Sequence, residues 1–111
     1  MDIKLNEIEK LVNSELTSKI KKTSIAFNEL IVNTSEEELT NVIFFLKSHD
    51  KLKFRQLIDI AGVDYPEEEK RFSLIYLLLS PEKNIRIKIS INFEIGKKIP
   101  SLTKIYPSAN W

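Results

Sequence analysis

The stretch Ile85–Ile95, which reads IRIKISINFEI, decides how the rest of this chain folds. Every second side chain is apolar, and these are Ile85, Ile87, Ile89, Ile91, Phe93 and Ile95. The side chains between them are polar: Arg86, Lys88, Ser90, Asn92 and Glu94. Alternation with a period of two places the two sets on opposite faces of an extended strand. We therefore expect a sheet that helices cover on one face and that is open to water on the other.

The composition limits the classes of function open to the chain. With 17 Lys and Arg against 16 Asp and Glu, it lacks the basic excess that nucleic-acid binding requires. It has no cysteine and only two glycines, which excludes thiolate metal sites, disulfides, a P-loop and a dinucleotide fingerprint. No apolar run is long enough to span a membrane, and the N-terminus does not resemble a signal or transit peptide. We expect a single domain over residues 1–111 that works in the compartment where it is made.

The first third of the chain predicts a helix followed by two strands. Apolar residues at helical spacing favour a helix over residues 3–22, and they are Leu5, Ile8, Leu11, Val12, Leu16 and Ile20. The lysines Lys19, Lys21 and Lys22 suit the negative end of that helix. Residues 24–32 read as two short strands with a turn at Asn28 and Glu29.

The next segment predicts a second helix over residues 36–49. Ser35 followed by Glu38 has the spacing of a capping box, and the apolar face that follows is Leu39, Val42, Ile43 and Leu46. Phe44 points away from that face, so we expect an exposed aromatic side chain that contributes to a partner surface.

Three further strands are predicted over residues 54–63, 71–79 and 85–95. The strand over 71–79 is apolar on both faces, which is typical of a central strand, and residues 99–111 form a C-terminal segment after the last strand. The resulting order, α-β-β-α-β-β-β, predicts an α+β two-layer sandwich whose mixed sheet carries its helices on one face. This order alone names no function.

Three residues invite a catalytic interpretation. His49 is the only histidine, and Asp59 and Asp64 lie close together in sequence. A histidine at a helix C-terminus is explained by the helix dipole, and the chain supplies no nucleophile or third ligand at a definable spacing. We predict no catalytic, cofactor-binding or metal-binding residue, and keep a small enzyme using these three side chains as an alternative.

Two strings carry information beyond the fold. Residues 59–66 read DIAGVDYP and residues 100–111 read PSLTKIYPSANW. Together they closely resemble the 30-kDa (C) subunit of the proton-pumping NADH:quinone oxidoreductase, respiratory complex I. The resemblance covers roughly residues 25–111, and the first helix matches only in character. Members of that family continue past the Ala-Asn-Trp string into a long tail, so we expect this sequence to be the N-terminal globular domain.

The resemblance implies a non-catalytic peripheral-arm component that binds and orients the hydrogenase-like (D) subunit, which lines the quinone pocket. NADH, FMN, the iron–sulfur clusters and quinone would all be held by other subunits of the complex. The chain would be a peripheral membrane component on the cytoplasmic side of the bacterial inner membrane, or alternatively on the mitochondrial matrix side. It would reach the membrane through its partner subunits, without inserting into lipid.

The matching strings also suggest where partners bind. The predicted subunit-interface residues are Phe44, Tyr65, Pro66, Tyr106, Pro107, Asn110 and Trp111, because aromatic side chains bury large areas at interfaces. Two other partner-binding interpretations stay open. One is the equivalent subunit of a related membrane-bound hydrogenase or another quinone-reducing complex, and the other is a free-standing protein-binding module.

Overall fold

The structure, a computed structural model, describes residues 4–64 and 72–93. Within these two ranges, two helices and five strands follow one another in the predicted order α-β-β-α-β-β-β. They are α1 (Leu5–Glu15), β1 (Ile20–Ala26), β2 (Glu29–Thr34), α2 (Leu39–Ser48), β3 (Gln56–Asp64), β4 (Phe72–Ser80) and β5 (Ile85–Phe93).

The five strands form one mixed sheet in the order β1-β2-β5-β4-β3. β2 and β5 run parallel, and the other neighbouring pairs are antiparallel. β5 therefore occupies the middle of the sheet, where the alternating pattern of its sequence predicts a strand with one covered face. The α+β class and the mixed sheet are confirmed.

The core lies between the two helices and one face of the sheet. From β5 it takes Ile87, Ile89 and Ile91, all fully buried, and from α1 it takes Ile8 and Val12. The predicted apolar face of α2 is confirmed, since its four residues, Leu39, Val42, Ile43 and Leu46, are fully buried. Both helices thus pack on the same face of the sheet, as a two-layer sandwich requires.

The first helix is shorter than the predicted range of 3–22, because α1 ends at Glu15. Ile20 continues the helical spacing, yet it opens β1 and pairs with Thr34. The chain turns after Leu16, whose carbonyl accepts hydrogen bonds from the backbone of Lys19 and Ile20. The prediction failed here because the side chain of Ile20 can reach the same core from a strand, so burial alone does not distinguish the two states.

The following hairpin and α2 depart from the predicted boundaries by a few residues. The turn lies at Phe27 and Asn28, and Glu29 already pairs with Ala26. The hydroxyl of Ser35 accepts a hydrogen bond from the backbone N–H of Glu38 at 3.3 Å, the bond expected of the capping box. Residues 36–38 nevertheless form a turn, and α2 begins three residues later than predicted.

The third strand begins later than the predicted start at residue 54. Phe54 is fully buried ahead of β3, and its backbone N–H donates to the carbonyl of Leu46 at 3.0 Å, so it closes the end of α2. A register shift between Leu57 and Asp59 leaves Ile58 40% exposed. β4 lies between β5 and β3, which agrees with its prediction as a central strand.

Candidate functional site

Phe44 is the one predicted interface residue that falls within the described ranges. It lies on the outer side of α2 and is 59% exposed, which confirms the predicted orientation. The other six, Tyr65, Pro66, Tyr106, Pro107, Asn110 and Trp111, lie outside the described residues. Their role at an interface stays a prediction.

Phe44 belongs to a shallow groove of about 430 Å³ between the end of α1 and α2. Leu16, Lys19, Phe45 and His49 also line it. The ammonium of Lys19 lies 3.8 Å from a carboxylate oxygen of Glu38, which partly neutralises that wall. The groove therefore has an apolar floor of Leu16, Phe44 and Phe45, with Glu15, Asn41 and Ser48 among its polar lining residues.

His49 forms part of the helix end. Its backbone N–H donates to the carbonyl of Phe45 at 3.0 Å, and its Nδ1 accepts from the backbone N–H of Lys51 at 3.1 Å. The rings of Phe45 and His49 lie 5.1 Å apart between centroids. His49 is thus the C-cap residue of α2 through its backbone N–H, while its imidazole accepts a hydrogen bond within the turn that follows the helix.

The hypothetical catalytic residues do not come together in the described part of the chain. His49 lies in the helical layer, whereas Asp59 is exposed on β3 and pairs with Leu77 on the sheet face away from the helices. The side chain of Asp64 lies outside the described residues. Within residues 4–64 and 72–93, no group of three or more His, Cys, Asp or Glu side chains could hold a metal ion.

Burial raises the pKa of Tyr76 to about 12, and this side chain packs inside the core.

The sheet face opposite the helices, which no described helix or strand covers and which we call the uncovered face, has a polar half and an apolar half. On β2 and β5, Glu29 lies 3.4 Å from Lys88, and the amide of Asn33 donates to the hydroxyl of Ser90 at 2.8 Å. On β4, by contrast, the residues that share this face are apolar and only partly buried: Ile75, Leu77 and Leu79. Together with Ile58, which is 40% exposed at the register shift of the neighbouring strand β3, we call them the β3–β4 strip. The double apolar pattern of residues 71–79 predicts this second face.

A further exposed aromatic residue, Phe27, was missed at the sequence level. It lies in the β1–β2 turn with a φ of 51° and is 98% exposed. A groove of about 850 Å³ beside it is lined by α1, β1 and the β4–β5 turn. The sequence signal that could have located this turn residue is its position next to Asn28, because Asn favours hairpin turns. In the structure Asn28 has a φ of 61°.

The described surface thus offers contact areas on both layers. Phe44 marks the helical layer, Phe27 marks one end of the sheet, and the β3–β4 strip marks its uncovered face. Aromatic side chains such as Phe27 and Phe44 are enriched in protein–protein interfaces.

Comparison with known proteins shows to which family this chain is similar. Residues 32–111 match the family model described as the 30 Kd subunit of the respiratory-chain NADH dehydrogenase. The whole chain is 32% identical over 111 residues to the C subunit of NADH-quinone oxidoreductase from Mesorhizobium japonicum, of which it covers 55%. It is 36% identical over 107 residues to the same subunit from Agrobacterium fabrum, with 96% of this chain and 54% of that one covered. The similarity to the M. japonicum protein includes the first helix, beyond the range of 25–111 expected from the two strings.

The chain spans about half the length of the curated relatives it matches. Among solved structures, it resembles a chain of the membrane-bound sulfane sulfur reductase, an archaeal respiratory membrane complex, with a TM-score of 0.72. That match covers 93% of this chain and 61% of the other at 19% identity. At this identity the likeness shows a shared fold.

Proposed function

This chain belongs to the family of the respiratory-chain NADH dehydrogenase 30 Kd subunit, a component of respiratory complex I, and from that membership we propose that it acts as a non-catalytic scaffold. It binds the hydrogenase-like subunit and orients it for electron transfer from NADH to quinone. The observation that carries the proposal is the match of the entire chain to the C subunit of NADH-quinone oxidoreductase. In this proposal the oxidation of NADH and the reduction of quinone are carried out by the assembled complex.

The surface chemistry supports a role in binding. Phe27, Phe44 and Ile58 expose large apolar side chains on three separate elements of a domain with a continuous core. His49 and Asp59 lie in different layers, which argues against a shared reaction centre between them. A scaffold requires rigid elements and contact surfaces, and it does not need side chains with perturbed pKa values.

The proposed location follows from the partners. No helix within the described ranges is long and apolar enough to cross a membrane. Attachment through other subunits of the complex would hold the protein at the cytoplasmic side of the bacterial inner membrane. The cofactors of the reaction, which are FMN, iron–sulfur clusters and quinone, would be bound by those other subunits.

The equivalent subunit of a related membrane-bound complex is the second candidate. The likeness to the sulfane sulfur reductase chain is at the level of fold, at 19% identity. Identities of 32% and 36% with subunits of NADH-quinone oxidoreductase favour the NADH-linked complex.

Co-expression of the full-length chain with the hydrogenase-like subunit of the same organism tests the scaffold proposal. Affinity capture of the tagged chain is expected to recover that partner in a one-to-one ratio, while the purified chain alone oxidises no NADH. Capture of the tagged chain without the hydrogenase-like subunit would contradict the proposal. NADH oxidation by the isolated chain would contradict its non-catalytic part. A tagged chain with the Asp50→Asn substitution serves as the matched control, because Asp50 is exposed and lines neither groove, and it should recover the partner equally well.

A further inference from the structure

The β1–β2 turn combines two unfavourable features in one residue. Ala26 pairs with Glu29, so Phe27 and Asn28 form a two-residue loop in which both φ angles are positive, 51° and 61°. Such loops favour Asn, Asp or Gly, because a positive φ brings a larger side chain against its own backbone. Phe27 therefore adopts a disfavoured conformation and also leaves its ring 98% exposed to water.

The fold gains little from a phenylalanine at this position. A ring that is almost fully exposed contributes little burial to the core, and a turn of this geometry forms more readily with Asn or Gly. Backbone conformations of this kind cluster at sites where the strained residue has a function. Phe27 is thus a candidate contact residue on conformational and solvation grounds together.

The groove beside Phe27 adds charge to the apolar contact. Its volume is about 850 Å³, its apolar lining residues include Leu5 and Ile25, and its basic lining residues are Lys4 and Arg86. Neither cation forms an ion pair with another residue in the described part of the chain. The remaining charged wall is Glu29, which is already paired with Lys88 at 3.4 Å. The groove therefore presents a net positive charge next to an exposed aromatic ring.

We propose that this end of the sheet, the Phe27 tip with its groove, docks an acidic segment of a partner subunit. The ring of Phe27 inserts into an apolar pocket of the partner, and carboxylates of the partner pair with Lys4 and Arg86. The inference rests on the proposed function, because it takes the partner to be another subunit of the same respiratory complex. It adds the location of one contact and the chemistry of the surface that fits it.

A protein partner suits this geometry better than a lipid surface. The apolar residues Leu5 and Ile25 and the two cations line a concave groove, whereas a membrane-inserting tip displays several apolar residues on a convex surface. Within the two-residue β1–β2 turn, Phe27 is the apolar residue beside Asn28, and one buried ring gives only weak, reversible attachment to a bilayer. A groove with two cations can instead receive an extended acidic chain whose side chains reach both walls.

The substitution Phe27→Asn separates binding from folding, because its two effects have opposite signs. Asn suits a positive φ, so the unfolding midpoint of the full-length protein should rise by about 2–5 °C. Loss of a central aromatic contact should weaken capture of the co-expressed partner subunits by at least about tenfold. Phe27→Tyr retains the ring and should retain capture. A Phe27→Asn protein that captures its partners as well as the natural protein would overturn the inference and leave the scaffold proposal intact.

Charge reversal tests the acidic character of the partner. Arg86→Glu should weaken capture, and the difference from the natural protein should shrink as salt rises from about 0.05 M to about 0.5 M, since salt screens exposed charges. Lys51→Glu is the matched control, because Lys51 is an exposed lysine that does not line the groove. Equal losses for both reversals would show a non-specific charge effect and overturn the proposed pairing.

Photo-crosslinking identifies the occupant directly. A benzophenone amino acid at position 27 of the full-length protein, expressed in cells with the other subunits, should crosslink to one subunit at a segment richer in Asp and Glu than in Lys and Arg. Crosslinks to lipid alone, or binding of the purified protein to vesicles of anionic phospholipid, would overturn the choice of a protein partner. Failure of the natural protein to capture any subunit would instead refute the scaffold proposal, and the inference with it.

Discussion

Two adjacent leucines in β4 allow the two faces of the sheet to be compared by the same substitution. Leu78 is fully buried on the helical face, where it pairs with Ile87 of β5. Leu77 lies on the uncovered face within the β3–β4 strip, is only partly buried and pairs with Lys88. Leu78→Ala removes a side chain from a closed core and leaves a cavity, which lowers the free energy of unfolding by about 2–5 kcal/mol. Leu77→Ala removes a side chain that still contacts water, so we expect a loss of about 1 kcal/mol or less.

Urea unfolding of the two variants, followed by circular dichroism, measures this difference. At about 4–8 °C per kcal/mol for a domain near this size, a 2 kcal/mol gap also separates the thermal midpoints by roughly 8–16 °C. Both variants change the same residue type in the same strand, so each serves as the control for strand propensity in the other. Equal losses, or a larger loss for Leu77→Ala, would refute the conclusion that helices cover only one face of the sheet.

Three further outcomes follow from individual side chains. The Ser80 hydroxyl donates a hydrogen bond to the buried carbonyl of Leu52 at 2.6 Å. Ser80→Ala leaves that carbonyl without its donor, so it should lower the free energy of unfolding measured by urea titration by about 1–3 kcal/mol. The pKa of Tyr76 is raised by burial from 10.0 to about 12, so the unfolded chain loses its phenolic proton first. The contribution of Tyr76 to the free energy of unfolding is therefore constant below pH 10 and is lost as pH rises from 10 to 12. Over that interval the free energy of unfolding should fall less steeply in the Tyr76→Phe variant. His49→Gln combined with Asp59→Asn should leave the NADH:quinone activity of membranes that contain the complex unchanged, whereas a large loss of turnover in membranes that hold the normal amount of assembled complex would favour the enzyme alternative.

The strand at the centre of the fold could be predicted because its sequence has one interpretation. Alternation through Ile87, Ile89 and Ile91 fits a half-buried strand and does not fit the spacing of a helix. The apolar face of α2 and the exposure of Phe44 follow equally directly from a period of 3.6 residues. In these segments the local pattern and the tertiary packing favour the same structure.

The boundaries and the second contact area could not be predicted in the same way. Ile20 fits the apolar stripe of a helix, and it fits equally well a strand whose side chain faces the same core. Its pairing with Thr34 shows that it belongs to a strand. Phe27 lies where an apolar residue is unfavourable for the fold, so a pattern that assigns apolar residues to the interior places it in a strand. The family resemblance depended on two strings, residues 59–66 and residues 100–111. Residues 65 and 66 of the first string and all of the second lie outside the described ranges. The predicted interface there stays a prediction.

The central claim is that this protein serves electron transfer by holding another subunit in place. The most direct test deletes its gene and measures, in membranes, both NADH oxidation by a water-soluble artificial acceptor and NADH oxidation by quinone. We predict that quinone reduction is lost and returns when the full-length gene is restored, while the purified protein alone reduces neither acceptor. Undiminished NADH-dependent quinone reduction by complex I in membranes that lack the protein, or quinone reduction by the purified protein alone, would contradict the claim.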